Sequence, residues 1–388
     1  MTAPDFPALR AACVDELAAR GCFDRAPWAR EAVLEVERER FVPRDVWRWT
    51  RDGYRPLSYE EEPEEWARAV YDPVKAVVTQ INDGEHDPRT TRGPVGGAAT
   101  SSVSALDIVC VKLGHLGLEP GHKVLDIGAG SGVNAALLER RAGPGNVVTI
   151  EVDEALADQA ARNLRTAGYA ARVVCGDGER GVADGAPFDR LVCTASARSV
   201  PRAWREQVRP GGSILTPYGT LFSAGGLLRL TVGEDGTAEG RFVDTASYMW
   251  LRGHRAPGGR PPRDGAERLS ASAADPDKVL DGDWNADFAI GRLVSGLTMQ
   301  RVTGGGRRVL LWDGRQSFAS VCCDAWDEAD SVLQQGPRSL WDETLAARAW
   351  WDEQGRPEIT RYGLSVTADG EHHVWLDAPE NPLPGGAV

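Results

Sequence analysis

Several things are scarce in this chain, and each scarcity removes a class of function. Lysine and arginine total 44 against 57 aspartates and glutamates, a net charge of −13. That balance argues against nucleic acid as the main partner, because phosphate binding rests on neutralisation by basic side chains. No apolar run approaches the roughly 20 residues of a membrane-spanning helix, so no membrane partner is expected. The seven cysteines include no C-x-x-C pair, and Cys322 and Cys323 are adjacent. Neither a zinc site nor a disulfide framework is indicated; no metal is expected, and the thiols are expected to be reduced and mostly buried. The opening "MTAPDFPALRAACVDELAARG" lacks the apolar centre of a secretory signal, so a cytoplasmic location is expected. No internal repeat is evident.

What is present has the texture of a soluble globular protein of about two domains, with 388 residues, 42% of them hydrophobic and 26% charged. Residues 8–50 read as largely helical, the second helical stretch running to Pro43. The polar, glycine- and proline-rich stretch between Asn82 and Ser101 reads as a loop. From Ser101 to Gly219 the short apolar runs "KVLDIG", "NVVTIEVD", "ARVVCGD" and "FDRLVCTA" alternate with helical stretches, which predicts a parallel, doubly wound sheet. After Tyr218 come three hairpin-like segments, a linker-like stretch around residues 253–278 and the helical "SLWDETLAARAWWDEQG". The expected division is 1–100, 101–220 and 221–388. Most tryptophans from Trp250 onward are expected in the core, and His372 and His373 on opposite faces of a strand.

The stretch "VLDIGAGSG" carries the chemistry. A dinucleotide turn is spaced G-x-G-x-x-G, but the glycines here are Gly128, Gly130 and Gly132, and Val133 stands at the fifth position after the first. Asp126 precedes the turn, where a carboxylate suits a cationic ligand better than a phosphate. S-adenosylmethionine is such a ligand, with an ammonium, a sulfonium and no phosphate. Glu151 ends the second strand, 19 residues after Gly132, at about the distance from which a carboxylate accepts both ribose hydroxyls. Val152 is expected to line the adenine pocket. Asp177, in "CGDG" with Gly178, is expected to accept from the adenine amino group. Thr194 either touches the cofactor or makes an ordinary strand-end hydrogen bond.

The surrounding sequence resembles the protein-L-isoaspartate O-methyltransferases. The matching segments are "RERFVP" (Arg38 to Pro43), "VYDPVKAVVTQ" (Val70 to Gln80), "SVSAL" (Ser102 to Leu106), "GDG" (Gly176 to Gly178), "APFDRLVCTA" (Ala186 to Ala195), Val200-Pro201 and "RPGGSILTPYG" (Arg209 to Gly219). The resemblance covers roughly residues 10–220. It implies an α/β fold, a doubly wound Rossmann-like class I methyltransferase sheet, here with an added C-terminal α+β domain. It also implies that S-adenosylmethionine is the cofactor, held by Ser101, Ser102, Asp126, Gly128, Gly130, Ser131, Gly132, Glu151, Val152, Asp177, Gly178 and Thr194. Ser104 matches the family's serine and would act on the acceptor carboxylate or the cofactor; the alternative is a cap for the following helix. Arg198 is the candidate partner of a substrate carboxylate, or else a solvated arginine.

Three departures bear on substrate. Leu106 stands where the family has proline, residues 83–100 look inserted, and a domain follows Tyr218. This layout resembles extended family members of ribosomal peptide biosynthesis, of the graspetide, lanthipeptide and lasso peptide kinds. The resemblance implies a modified precursor peptide as partner, methylated on an ordinary aspartate that then closes to aspartimide or opens to isoaspartate. The rival readings are repair of L-isoaspartyl residues and a non-catalytic peptide-binding module. Nucleic-acid methylation is disfavoured by the acidic charge and by the absence of an N-P-P-Y-type signature. The oligomeric state is left open.

Overall fold

The computed structural model describes residues 3–256 and 265–384, which divide into two compact units. The first comprises residues 1–195 and 201–216, the second residues 196–200 and 217–388.

The first unit opens with α1 (Phe6–Ala19) and α2 (Trp28–Glu35), as their apolar spacing predicts. The helical reading fails beyond that point. β1 (Asp45–Thr50) and β2 (Gly53–Ser58) form a hairpin, joined through Arg51 and Asp52 with Gly53 at φ 120°. The Asp-Gly pair is itself a hairpin cue. After α3 (Pro63–Val70), β3 (Val77–Ile81) and β4 (Ala99–Val103) complete an antiparallel sheet ordered β2-β1-β3-β4. The stretch read as a loop thus ends in a strand, and its Val95 is bridged to Tyr54.

Next comes α4 (Leu106–Leu116), followed by the alternating core: β5 (Val124–Ile127), α5 (Val133–Ala142), β6 (Val147–Glu151), α6 (Glu154–Thr166), β7 (Arg172–Cys175), β8 (Phe188–Cys193), α7 (Arg202–Gln207) and β9 (Val208–Tyr218). The strands run parallel in the order β7-β6-β5-β8-β9. The order reverses at β5, and right-handed crossovers then place the connections on both faces, as the alternation predicts. Ligands of such sheets bind at the carboxyl ends of the strands beside the reversal, here where β5 and β8 end. β5 is buried throughout, as a strand covered on both faces must be.

The second unit is α+β, as expected. β10 (Gly226–Val232) and β11 (Ala238–Thr245) pair as a hairpin. Next come β12 (Arg268–Ser270), α8 (Pro276–Val279), α9 (Trp284–Leu293), β13 (Thr298–Val302), β14 (Arg308–Trp312), β15 (Phe318–Cys322), β16 (Val332–Gln335), α10 (Leu340–Glu353), β17 (Tyr362–Val366) and β18 (His372–Leu376). β12 to β16 form an antiparallel sheet ordered β12-β16-β15-β14-β13. One core joins Ile290 and Val294 to Val309, Leu311, Val321 and Trp341. The linker-like stretch is therefore partly built into the fold as β12 and α8; residues 257–264 of it lie outside the described residues. Trp341, Trp351 and Trp375 are buried, but the other five tryptophans after residue 249 are not. Among the described residues no helix is long and apolar enough to cross a membrane.

Candidate active site

The glycine turn has the backbone its residues predict. Gly128, Gly130 and Gly132 have φ of 94°, 52° and 90°, a region that side-chain-bearing residues seldom adopt. A Cβ on Gly128 would stand 2.6 Å from Thr194 Oγ1, and one on Gly132 would crowd Leu164 and Ala160 of α6. On Gly130 it would meet nothing closer than the Ser102 carbonyl oxygen, 3.7 Å away. The open side of the turn is thus at Gly130, facing the serine stretch.

Glu151 organises that open side. Its Oε2 accepts from the Gly130 amide at 2.9 Å and its Oε1 from the Asp153 amide at 3.1 Å. A carboxylate offers about four acceptor directions, so each oxygen keeps one for a ligand hydroxyl. Val152, next in sequence, is 40% exposed. Ser131 Oγ is enclosed with no hydrogen-bond partner, while its carbonyl accepts from Asn163 at 2.9 Å. Asp177 caps the turn after β7 through Glu179 N at 3.0 Å and is otherwise exposed. Gly178 is buried, its carbonyl taking the Trp204 indole N–H at 2.8 Å. An open glycine face, a carboxylate with spare acceptors, an apolar side chain beyond it and an unsatisfied hydroxyl fit S-adenosylmethionine.

Two expected contacts take a different form. Asp126 is wholly buried: Oδ1 accepts from Asn134 at 2.7 Å and Oδ2 from Thr149 at 2.9 Å. Burial pushes its carboxyl up to about 6, opposed by the positive charge of buried Lys112 on α4. With no surface to offer a ligand's ammonium, it braces β5, β6 and α5 beneath the turn. Thr194 makes the ordinary strand-end bond, donating to the carbonyls of Ile127 and Gly128 at 3.0 and 2.7 Å. It holds the turn and has no proton left for a ligand.

Ser101 is buried and Ser102 half-buried on β4, paired with Gln80 and Val78. Ser104 is half-buried in the link to α4, and among the described residues its hydroxyl has no hydrogen-bond partner. It does not cap the helix, since the cap position is Ala105, without a side-chain bond. Leu106 is the first residue of α4, the position where proline's missing N–H is harmless. Arg198 lies in the second unit, where its amide donates to His254 Nδ1 at 3.0 Å and its Nε is buried without a partner.

A residue of the quoted motifs whose role was not legible is Arg38. Its guanidinium, 2% exposed, donates to the carbonyls of Val70 at 2.8 Å, Val103 at 3.3 Å and Ser104 at 2.8 Å. Burial pushes it down to about 10. It pins the serine stretch from behind. Arg38→Lys, which loses the planar fork, is expected to lower stability by about 1–3 kcal/mol in urea unfolding.

The fold and this site define a methyltransferase-type nucleoside-binding α/β protein. A model of the family "Protein-L-isoaspartate(D-aspartate) O-methyltransferase" matches residues 89–254. The protein-L-isoaspartate O-methyltransferase of Hyperthermus butylicus is 33% identical over 258 residues, 64% of this chain and 90% of its own. That of Methanopyrus kandleri is 33% identical over 217 residues, covering 55% and 78%. A solved protein-L-isoaspartate O-methyltransferase superposes with a TM-score of 0.54 at 20% identity, over 95% of this chain and all of its own. The chain belongs to the protein-L-isoaspartate O-methyltransferase family. It is accordingly a protein carboxyl O-methyltransferase that uses S-adenosylmethionine, which sets aside the non-catalytic module.

Proposed function

We propose that the chain esterifies the side-chain carboxylate of an ordinary aspartate in a constrained ribosomal peptide, and that the ester then closes to aspartimide, which water opens to isoaspartate. The observation that supports this most is a groove of about 940 Å³ in the first unit, walled on one side by Asp87, Pro88 and Arg89 of the inserted loop. Arg44, Arg162 and Asn163 line it as well, and Asn163 also holds the Ser131 carbonyl of the glycine turn. Its size suits a folded peptide segment.

S-adenosylmethionine, when bound, supplies the methyl group. Glu151, Val152, Ser131 and Asp177 would hold it on the open face of the turn, and Asp126 and Thr194 keep that turn in shape. The acceptor carboxylate is already anionic at neutral pH, so the residues need supply no strong base. Orientation is their main contribution, and Ser104, with its free hydroxyl, is the proposed donor to the acceptor oxygen. Arg198, four residues beyond Thr194 in the chain, is the proposed partner of a substrate carboxylate. Once the ester has formed, the following residue's backbone nitrogen attacks its carbonyl carbon. The C–N bond forms, the C–O bond to methoxide breaks, and the amide proton leaves with it as methanol.

Ser104→Ala is expected to lower kcat/KM for the acceptor about tenfold while leaving S-adenosylmethionine affinity unchanged, measured by initial rates and calorimetry. A loss confined to cofactor affinity would move Ser104 to the cofactor.

Repair of L-isoaspartyl residues is the second reading, supported by the family's own description and by a solved relative of that name that aligns along 95% of this chain. Mass spectrometry over time, on isoaspartyl peptides and on constrained peptides with ordinary aspartate, separates the two. Gain of a methyl on ordinary aspartate followed by loss of methanol supports biosynthesis. Reaction of isoaspartate alone overturns it.

A further inference from the structure

A polar cluster that the methyl-transfer reading does not use lies in the second unit. Arg292, on α9, is 7% exposed, and none of Nε, Nη1 and Nη2 has a hydrogen-bond partner. Among the described residues no carboxylate faces it in an ion pair. Its Cζ stands 4.5 Å from the centre of the Tyr218 ring and 5.4 Å from that of Phe288. Phe242 packs on Phe288 and on Tyr218, Tyr362 packs on Phe288, and the His372 ring stacks against Tyr218. The hydroxyls of Tyr218 and Tyr362 are likewise buried without a hydrogen bond of regular geometry, and the Tyr218 hydroxyl is the one polar group seen beside the guanidinium.

The cluster is lopsided in its chemistry. It holds a permanent cation and two hydroxyls in an aromatic wall, and no anion. Aromatic faces satisfy part of a guanidinium's charge, through the ring quadrupole. They do not satisfy its five N–H groups, which lie in the guanidinium plane and point past its edges. The group cannot escape by losing a proton, and an unpaired buried charge is among the costliest features a fold can carry. The neighbouring imidazole of His372 cannot supply the acceptor either, and the Tyr218 hydroxyl offers one oxygen to a group with five N–H donors. His372 Nε2 already accepts from the Val200 amide at 2.9 Å, so its Nδ1 carries the proton and faces the Gly370 carbonyl at 2.9 Å.

We infer that Arg292 is the anchor of a carboxylate-binding site in the second unit, with the Tyr218 hydroxyl as its second donor. The planar fork matches the two oxygens of a carboxylate, and the aromatic surroundings suit the apolar carbon that bears it. The carboxylate comes either from a small free acid or from a peptide. This inference stands apart from the choice of methyl acceptor in the first unit.

The test is calorimetric titration of the full chain with four probes at constant ionic strength. These are acetate, an amidated peptide with one aspartate, an asparagine peptide with a free C-terminus, and inorganic phosphate. Saturable one-to-one binding of any carboxylate probe, weakened at least tenfold in Arg292→Met and less in Tyr218→Phe, is the expected result, and the probe that binds identifies the source. Binding of phosphate alone, equal binding to Arg292→Met, or no binding overturns the inference, leaving buried water as the partner of the guanidinium. Should Arg292→Met fail to fold, carbon-13 acetate with the unaltered protein decides. Saturable broadening of the carboxylate signal at one site per chain supports the site, and an unchanged signal overturns it.

Discussion

Replacing Glu151 with alanine is expected to reduce affinity for S-adenosylmethionine by about a hundredfold or more. Hydrogen bonds to a charged acceptor contribute about 1.5–3 kcal/mol each, and two ribose hydroxyls are expected on this carboxylate. The residue also holds the turn: without it the Gly130 and Asp153 amides, at 2.9 and 3.1 Å, lose their acceptor. Glu151→Gln is expected to fall between, since an amide oxygen can serve only one of the two amides. Calorimetric titration reads all three proteins, and affinity within threefold of the parent in the alanine variant would remove Glu151 from the site.

Lys112→Met is expected to cost about 3–5 kcal/mol of stability at pH 8, the usual penalty for stranding one member of a buried pair. Lys112 is fully buried on α4, and burial pushes its ammonium down to about 8 although Asp126 draws it back up. Asp126 is pushed up to about 6 from an ordinary value of 3.8. The folded chain therefore retains a proton on Asp126 that the unfolded chain has lost. This contribution to stability is complete below pH 3.8 and is lost as pH rises through about 6. For Lys112 the direction is opposite. Its contribution is complete above 10.5 and is lost as pH falls through about 8.

In Lys112→Met the bare carboxyl should hold its proton to still higher pH, so the variant should lose less at pH 5 than at pH 8. Adding Asp126→Asn should recover part of the loss at pH 8. Urea unfolding of the parent, Lys112→Met, Asp126→Asn and the double variant at both pH values provides the check; a loss of the same size at both for Lys112→Met would mean that Lys112 acts through packing alone.

Much of the site could be read from the chain because it rests on local constraints. Gly128, Gly130 and Gly132 stand where the backbone turns left-handed, and Glu151 stands at the end of a short apolar strand. The hairpins of the second unit were marked by alternating residues around glycine-bearing turns. The β1–β2 hairpin was missed although Asp52-Gly53 signalled it, because the helical spacing before Pro43 was carried too far. Arg38 was invisible as a brace, since its partners Val70, Val103 and Ser104 lie 32 to 66 residues away.

By itself the sequence determined the alternation of strands and helices from Ser101 to Gly219, the unusual glycine turn, the acidic end of the second strand and the family, all of which depend on backbone geometry and side-chain type within a few residues. Only the tertiary structure decided that Asp126 is an internal brace, that Ser104 is free of the helix cap, and that Arg292 stands buried among aromatic rings with no carboxylate paired to it among the described residues. Each is a matter of which distant segments exclude water from a polar group, and that exclusion exists only once the chain has packed.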